Sequence, residues 1–416
     1  MRVCLVSAEY PPMQGGVGDY TSWLAAALSR QGAEVSVITS AGVAAGVQTM
    51  ADISWKANVF AVVPRWSFAC WKWVRNIVRE QRPDILHIQY QTAGYGMHPA
   101  INLLPLRLRL LSRRPKLVVT FHDLKVPFLF PKAGRARGIP GALLAMFSDA
   151  VVVTNEEDLA RVVWLRDASS PRLRSRYGDR PLHCIPIGSN IPVRVPDAYN
   201  RTAWRDKLGV ASDEILLAYF GFLNESKGVD VLLGAFGTLV DRRRKVKLLM
   251  IGGNYGDSDP TNVAYGQKIR SAVARSPYGD RVLWTGFTNR EQVSANLLAA
   301  DFCVLPFDEG ASLRHGSLMA TIVHGLPIIT TRGQETSHAS TRGRVEAQQM
   351  PGLENRVVLV PPKDVGALVE AIEQVAGSPA LRETLSERVL EIAPEFDWDR
   401  IAEATLRVYR EIAPVR

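Results

Sequence analysis

A short loop from Gly221 to Gly228 carries residues suited to binding an anion. It contains Asn224 and Lys227, follows the strand-like apolar run Ile215 to Phe220, and precedes a helical pattern. The free N–H groups and the dipole of a helix N-terminus attract anions, and a lysine adds a positive charge. The same pattern also occurs in ordinary strand-to-helix turns with a solvated lysine. The loop is therefore a candidate phosphate site, with the ordinary turn as the alternative.

A second loop of this kind follows the run Phe302 to Pro306. Arg314, His315, Gly316 and Ser317 directly precede an apolar helical segment. A guanidinium can contact a phosphate through two hydrogen bonds at once, and the helix N-terminus again favours an anion. The alternative is an exposed cationic turn. Together the two loops indicate one diphosphate held from two sides.

Two loops in the first half of the chain also follow strand patterns. Gly15 and Gly16 stand at a helix start, where glycines let the backbone approach a ligand closely, although the GxGxxG spacing is absent. His122 and Asp123 follow Leu117 to Phe121. Such a pair can bind a sugar hydroxyl or move a proton. A tight turn and a surface hydrogen bond are the respective alternatives.

No metal, disulfide framework or cofactor is expected. Asp257 and Asp259 can hold a metal in principle, but we interpret them as part of a polar turn. The four cysteines are scattered, without a CxxC motif or a Cys/His cluster. Glu9 interrupts the N-terminal apolar run, which is too short for a signal peptide, and no window reaches the roughly 18 apolar residues of a membrane span. We expect a cytoplasmic protein.

Composition and charge narrow the class of partner. The chain has 416 residues, 47% hydrophobic and 22% charged residues, and a net charge of +9, which fits a globular protein of about two domains. Because no nucleic-acid-binding module or basic stacking array is present, an anionic substrate or an anionic membrane surface is favoured. Two basic segments are relevant to the membrane: Arg65 to Arg82, with Trp66, Trp71 and Trp73 among Lys72, Arg75 and Arg79, and Leu103 to Lys116. The alternative is that these aromatic rings pack inward and the basic face is only solvated.

The loops are positioned by alternating apolar strands and amphipathic helices. The predicted strands are Val3 to Ser7, Val35 to Thr39, Ile85 to Ile88, Leu117 to Phe121, Ala150 to Thr154, Leu182 to Ile187, Ile215 to Phe220, Val246 to Ile251, Val282 to Thr285, Phe302 to Pro306, Pro327 to Thr331 and Val357 to Val360. This alternation predicts two doubly wound, Rossmann-like α/β domains with parallel sheets, at residues 1–195 and 196–395. The last helical pattern, in 396–416, is expected to pack back on the first domain, and Arg332 to Arg356 is expected to be a mobile loop. Ligands of such sheets bind beyond the carboxyl ends of the strands.

Taken together, these motifs resemble glycosyltransferase family 4, which has the GT-B fold. The resemblance covers most of the chain and is carried by PPMQGGVGDY, TFHD, GFLNESKGVDVLLGAF, LLMIGG, WTGF and HGLPIITT. It implies two domains facing across a cleft, the first binding the acceptor and the second the nucleotide-sugar. It further implies retaining transfer of a hexose from a UDP- or GDP-sugar to a glycan, lipid-linked or small-molecule acceptor, without a metal. A peripheral contact with the inner face of the membrane stays open.

The resemblance also assigns roles to residues. His122 would contact the transferred sugar and Lys227 would bind the diphosphate. Arg314, which the anion-binding pattern of the second loop suggests and the resemblance does not, completes the predicted catalytic set. Gly16 would lie against the donor phosphate or the acceptor, and Phe287 near the base. The full donor-binding set is Gly15, Gly16, Gly221, Asn224, Gly252, Phe287, Glu309, His315, Gly316 and Ser317.

The chain departs from the family pattern at two places. Phe222 occupies the position of an arginine that usually follows the first glycine of the phosphate loop. The usual glutamate pair, spaced E-x7-E, is missing, because its positions hold Ser312 and Ala320, or Glu309 and Ser317. We interpret ASLRHGS as a replacement loop in which Arg314 supplies the missing positive charge. An epimerase or hydrolase of the same fold and a non-catalytic nucleotide-sugar-binding subunit are the alternative functions.

Overall fold

A computed structural model describes residues 1–13, 15–42, 46–50, 53–124, 139–167, 180–252, 260–312, 315–333 and 353–413. The chain divides into two compact units. The first is Met1–Gly188 together with Asp397–Arg416, and the second is Ser189–Phe396. Across the described ranges, no helix combines the length and the apolar character that a bilayer span requires.

The strands follow the predicted apolar runs closely, with one added hairpin. They are β1 Arg2–Val6, β2 Glu34–Ser40, β3 Gly46–Met50, β4 Ile53–Val63, β5 Ile85–Tyr90, β6 Lys116–Phe121, β7 Ala150–Val153, β8 Leu182–Cys184, β9 Ile215–Gly221, β10 Val246–Gly252, β11 Val282–Trp284, β12 Phe302–Leu305, β13 Ile328–Thr331 and β14 Val358–Val360. The hairpin strands β3 and β4 are not predicted, because polar residues interrupt their apolar pattern.

Helices connect most of these strands. They are α1 Gly16–Arg30, α2 Cys70–Gln81, α3 Ala100–Leu108, α4 Ile139–Phe147, α5 Glu156–Asp167, α6 Arg201–Lys207, α7 Val229–Asp241, α8 Pro260–Arg275, α9 Arg290–Ala299, α10 Gly316–Val323, α11 Val365–Gly377, α12 Pro379–Ile392 and α13 Trp398–Ile412. Several begin at the polar residue that local chemistry favours. Asn289 and Gln292 form a capping box at α9, and the Asp397 side chain accepts hydrogen bonds at the start of α13.

The first unit is built on one sheet of order β3-β4-β2-β1-β5-β6-β7-β8, parallel except for the β3–β4 pair. Strand residues alternate between its two faces. One face packs against α1 and α13 through residues such as Leu24 and Leu406, and the other packs against α2 and α3 through residues such as Val74 and Leu104. The last helix also adds Tyr409, whose hydroxyl lies 2.6 Å from Nδ1 of buried His87 on β5.

The second unit has a parallel sheet of order β11-β10-β9-β12-β13-β14. The order reverses at β9, whose neighbours are β10 and β12. In doubly wound sheets, ligands bind at such a switch point, beyond the carboxyl ends of the strands. The predicted two-domain Rossmann-like architecture is therefore confirmed, and its switch point brings together the loops that follow β9 and β12.

The three tryptophans of the basic segment Arg65 to Arg82 differ in how deeply they are buried. Trp66 is buried, and the indole N–H of Trp71 donates to the carbonyl of Ala100 at 2.8 Å, so these rings pack inward. Trp73 remains 37% exposed beside Lys72, whose Nζ lies 5.9 Å from the Trp73 ring centroid. The loop expected to be mobile lies mostly outside the described residues.

Candidate functional site

The loop after β9 is shaped by local hydrogen bonds and by one left-handed residue. The Asn224 side chain accepts from the N–H of Ser226 and starts a single 3-10 turn, Glu225–Lys227. Gly228 then adopts a φ of +63°, a region that favours glycine, and α7 begins at the next residue. This conformation places Lys227 at the end of the turn, immediately before the helix.

The loops after β9 and β12 are fastened together. A Cβ atom at Gly228 would lie 2.0 Å from the carbonyl oxygen of Pro306, so only glycine allows this approach. The N–H of Asp308 donates to the carbonyl of Ser226 at 3.0 Å. The relative position of the two loops is thus fixed by backbone contacts.

Lys227 is held against an aromatic ring and is not simply solvated. Its Nζ lies 4.9 Å from the ring centroid of Phe307, a residue that is 1% exposed, and the His315 ring stacks on the same Phe307 at 3.8 Å. Burial lowers the pKa of Lys227 to about 8, although the charge of nearby Glu309 acts in the opposite direction. An ammonium in this setting is partly desolvated, which strengthens its attraction to an incoming anion.

Three other residues predicted to bind the donor lie at the same carboxyl edge of the second unit's sheet. Gly221 and Gly252 follow paired strands, and a Cβ at Gly252 would lie 3.4 Å from the carbonyl oxygen of Gly221. A Cβ at Gly221 would lie 3.9 Å from Oγ of Ser317, in the first turn of α10. The structure therefore brings the start of α10, at Gly316, to the ends of β9 and β10.

The other residues of the second unit that the sequence analysis considered are either exposed or lie outside the described residues. Phe287 follows the edge strand β11 and is 76% exposed, and Phe222 is 56% exposed. Arg314, Asp257 and Asp259 lie outside the described residues. Within the described part of the chain, no group of three His, Cys, Asp or Glu side chains is arranged to hold a metal ion.

In the first unit, His122 follows β6, is half-buried, and contacts residues of a neighbouring strand and of α1. Its Nε2 lies 3.0 Å from Oε1 of Gln89, at the end of β5, and its ring meets Tyr20 of α1 edge-on at 4.5 Å. Burial lowers the pKa of His122 to about 3. The imidazole is therefore neutral near pH 7 and suits hydrogen bonding to a hydroxyl better than holding an anion.

The glycine loop of the first unit contains a carboxylate that the sequence-based prediction did not use. A Cβ at Gly15 would lie 2.1 Å from Oε2 of Glu9, so the Glu9 carboxylate lies directly against the glycine backbone. Burial raises the pKa of Glu9, and the charge of Asp19 acts in the same direction. Gly16, in contrast, has no described atom within 4 Å of its Cβ position.

Sequence reasoning missed Glu9, Gln89 and Phe307 as parts of these sites. Two of them carry a usable signal, because Glu9 breaks an apolar opening run and Gln89 is a polar residue within a fully buried strand. Phe307 carries no such signal, because in the sequence it resembles any aromatic residue of a hydrophobic core. Its importance appears only from the ring contacts of Lys227 and His315.

Two family profiles match the chain, and together they span most of it. "Glycosyl transferase 4-like domain" matches residues 15–174, and "Glycosyl transferases group 1" matches residues 214–378. A relative, the D-inositol 3-phosphate glycosyltransferase of Xylanimonas cellulosilytica, is 25% identical over 443 residues, covering 99% of this chain and 96% of the relative.

Solved structures share the fold along the whole chain. Sucrose-phosphate synthase from Thermosynechococcus elongatus aligns with a TM-score of 0.71 at 22% identity and covers 99% of both chains. HepE from Anabaena, in complex with UDP and glucose, aligns with a TM-score of 0.68 at 16% identity and covers 98% of both.

Fold and profile matches together define a glycosyltransferase of the GT-B fold. Within that class, the two profiles and the relative support the family-4 type that the motifs resemble, whereas the ASLRHGS branch stays a prediction. The chain therefore catalyses glycosyl transfer, and these matches do not favour the epimerase, hydrolase or non-catalytic alternatives.

Proposed function

We propose that this glycosyltransferase is a retaining hexosyltransferase that uses a nucleotide diphosphate sugar. The second unit binds the donor, and the first unit binds the acceptor, which is a glycan, a lipid-linked sugar or a small molecule. UDP-hexose is the first donor to test, because the fold-related HepE structure holds UDP and glucose. The protein acts in the cytoplasm.

The position of Lys227 is the observation that carries this proposal. When the sugar leaves its donor, negative charge develops on the departing diphosphate. A partly desolvated ammonium at the switch point stabilises that charge, and the N-terminal amides of α10, beginning at Gly316, add to it. Preorganised groups of this kind usually make the largest contribution to catalysis.

The positive charge at the diphosphate is supplied without a metal in this proposal. Arg314, in the ASLRHGS loop, takes over from the arginine that Phe222 replaces, and so defines a branch of the family. Asn224 and Ser317 add polar contacts to the donor, and Phe287 packs near the base. In this proposal the charges of Lys227 and Arg314 act on one diphosphate, so reversing the charge of Arg314 should weaken donor binding.

His122 acts on the transferred sugar. Its neutral ring accepts or donates a hydrogen bond at a sugar hydroxyl, and Gln89 sets the direction of the ring. The acceptor hydroxyl attacks on the face from which the diphosphate leaves, and its proton passes to the departing phosphate oxygen. The anomeric configuration is retained, and no protein nucleophile is needed.

The first experiment compares Lys227→Ala with the wild type. Turnover should fall by about 10²–10³, as when one preorganised donor is removed from an oxyanion site, while the melting temperature stays near that of the wild type. Lys268→Ala, at an exposed lysine of α8, is the matched control. A thermal-shift panel with UDP, GDP, ADP and their sugars identifies the base. Near-normal turnover of Lys227→Ala would refute the assignment.

A peripheral membrane contact forms the second part of the proposal. The segment around α2 and α3 exposes Phe68 at 48%, Leu106 at 45% and Leu110 at 75%, in addition to Trp73. Basic side chains such as Lys72 lie among them. Apolar side chains that enter the interface, together with cations that meet anionic headgroups, are the combination that holds proteins on such surfaces.

A further inference from the structure

The last helix, α13, reaches the core of the first unit with two aromatic side chains. Trp398, its first residue, is 6% exposed, and Tyr409, near its end, is fully buried. An ion pair of 2.6 Å also joins Asp399 to Arg30 at the end of α1, but both side chains are partly exposed, and such pairs contribute little. The two buried rings are therefore the stronger attachments of α13.

Trp398 packs at the residue where the chain leaves the first unit. A Cβ at Gly188, the last residue before the second unit begins, would lie 2.5 Å from Cε2 of the indole. The Trp23 ring of α1 lies nearly parallel to the indole, with 6.2 Å between the centroids. The Tyr20 ring of the same helix meets the indole edge-on at 5.2 Å. The place of Trp398 is thus set by the Gly188 backbone and by two rings of α1.

Tyr20 connects Trp398 to His122. Its ring is 5% exposed and also meets the His122 imidazole edge-on, with 4.5 Å between the centroids. Side chains in a closely packed interior do not shift without displacing their neighbours. A smaller residue at position 398 would give the Tyr20 ring room to move, and the imidazole would lose a fixed neighbour.

Tyr409 reaches the strand of His122 by a separate route. Its hydroxyl lies 2.6 Å from Nδ1 of His87 on β5, and Nε2 of His87 lies 2.7 Å from Oγ1 of Thr120 on β6. All three side chains are fully buried, and a neutral imidazole has one nitrogen that donates and one that accepts. The ring therefore joins the two hydroxyls in one chain of hydrogen bonds, which fixes its members in place. Thr120 stands two residues before His122.

We propose that Trp398 and Tyr409 are positioning residues, through which α13 holds His122 in place for glycosyl transfer. Trp398 acts through the Tyr20 ring, and Tyr409 acts through the hydrogen bonds that end on β6. The inference rests on the proposed role of His122 at the transferred sugar. A misplacement of about 1 Å can cost roughly 10² in rate, so two residues that touch no substrate are expected to affect turnover.

The imidazole resonance of His122 gives a test that is independent of turnover. In the full chain labelled with 13C at Cε1 of histidine, the His122 signal is identified by its loss in His122→Asn. Trp398→Ala and Tyr409→Phe should each shift this signal, whereas Trp398→Phe, which keeps a ring against Tyr20, should restore most of the wild-type position. In the transfer assay, kcat of Trp398→Ala should fall by roughly 10–10². The KM for the nucleotide-sugar should change little, because the second unit binds the diphosphate.

Leu406→Ala is the matched control, because Leu406 is a buried residue of the same helix, 4% exposed, that belongs to neither route. This variant should lower the melting temperature at least as much as Tyr409→Phe and leave the His122 signal and kcat near those of the wild type. If Trp398→Ala does not fold, Tyr409→Phe alone decides the comparison.

Two results would overturn the inference: a His122 signal that stays in place in the variants of Trp398 and Tyr409, or one that moves equally in Leu406→Ala. A shifted signal with unchanged kcat would support the positioning of the ring and refute the role of His122 at the sugar. A failure of the inference is therefore distinguishable from a failure of the proposed function.

Discussion

Gly228 and Pro306 approach so closely that a Cβ on the glycine would lie 2.0 Å from the proline carbonyl oxygen. This contact joins the lysine-bearing loop after β9 to the loop after β12. Because Gly228 also has a φ of +63°, a side chain there meets both backbone strain and a clash. The mutual position of Lys227 and Phe307 therefore depends on a residue without a side chain.

Gly228→Ala should destabilise the second unit. A left-handed alanine costs roughly 1–2 kcal/mol, and overpacking adds about 1–3 kcal/mol. Gly209→Ala is the matched control, because Gly209 has a φ of +69° but no described atom within 4 Å of its Cβ position. Unfolding in urea measures both variants. Equal losses of stability would show that the contact with Pro306 contributes nothing.

Donor affinity should depend on pH through Lys227. Because the pKa of this lysine is lowered to about 8, its ammonium is mostly charged below pH 8 and mostly neutral above it. Affinity for a nucleotide diphosphate should therefore fall as pH rises through 8, approaching about tenfold per pH unit. Titration calorimetry with UDP between pH 6.5 and 9.5 measures this slope.

Lys227→Arg provides the control for that slope, since a guanidinium stays charged throughout the range. Its affinity for UDP should be nearly constant with pH, whatever its absolute value. If the arginine variant loses affinity as steeply as the wild type, the titrating group is not Lys227.

The contact between Gln89 and His122 predicts a second effect of pH. In the wild type, the pKa of His122 is about 3, so the ring stays neutral from pH 5 to 8. Gln89→Glu places a negative charge at the imidazole, which raises its pKa. The ring then gains a proton as pH falls, and kcat/KM should fall on the acidic side, where the wild type is flat.

Asn102→Asp is the matched control for Gln89→Glu. Asn102 is another buried amide of the first unit, 3% exposed, and its Nδ2 donates to the Tyr90 hydroxyl at 2.9 Å. This variant should not change the pH profile of kcat/KM, apart from any loss of folded protein. An acidic limb of similar size in both variants would assign the effect to general destabilisation.

Binding to anionic vesicles tests the membrane contact. Lys72→Glu combined with Trp73→Ala should lower the affinity for phosphatidylglycerol vesicles, measured by sedimentation, by at least roughly fivefold, which is the factor for one basic residue lost. Phosphatidylcholine vesicles should bind little of either protein. Leu390→Ser removes a 48% exposed apolar residue of the second unit and should change nothing. Equal sedimentation of all variants would remove the membrane from the proposal.

Much of this architecture could be predicted because it follows from local patterns in the sequence. Continuous apolar runs separated by helical periodicity predicted the parallel sheets, and Val229, Leu232 and Phe236 are buried on one face of α7 as their spacing required. The hairpin β3–β4 was not predicted, because polar residues interrupt the apolar pattern of its strands. The two strands also pair antiparallel, unlike the rest of the sheet.

The sequence by itself determined the class of fold, the loops that carry chemistry, and the lysine and histidine at the ends of strands. Only the tertiary structure decided what those residues touch: the Phe307 ring beside Lys227, the Gln89 amide at His122, and the Glu9 carboxylate at the start of α1. These contacts join residues far apart in the chain. They depend on strand order and register, which local periodicity does not specify.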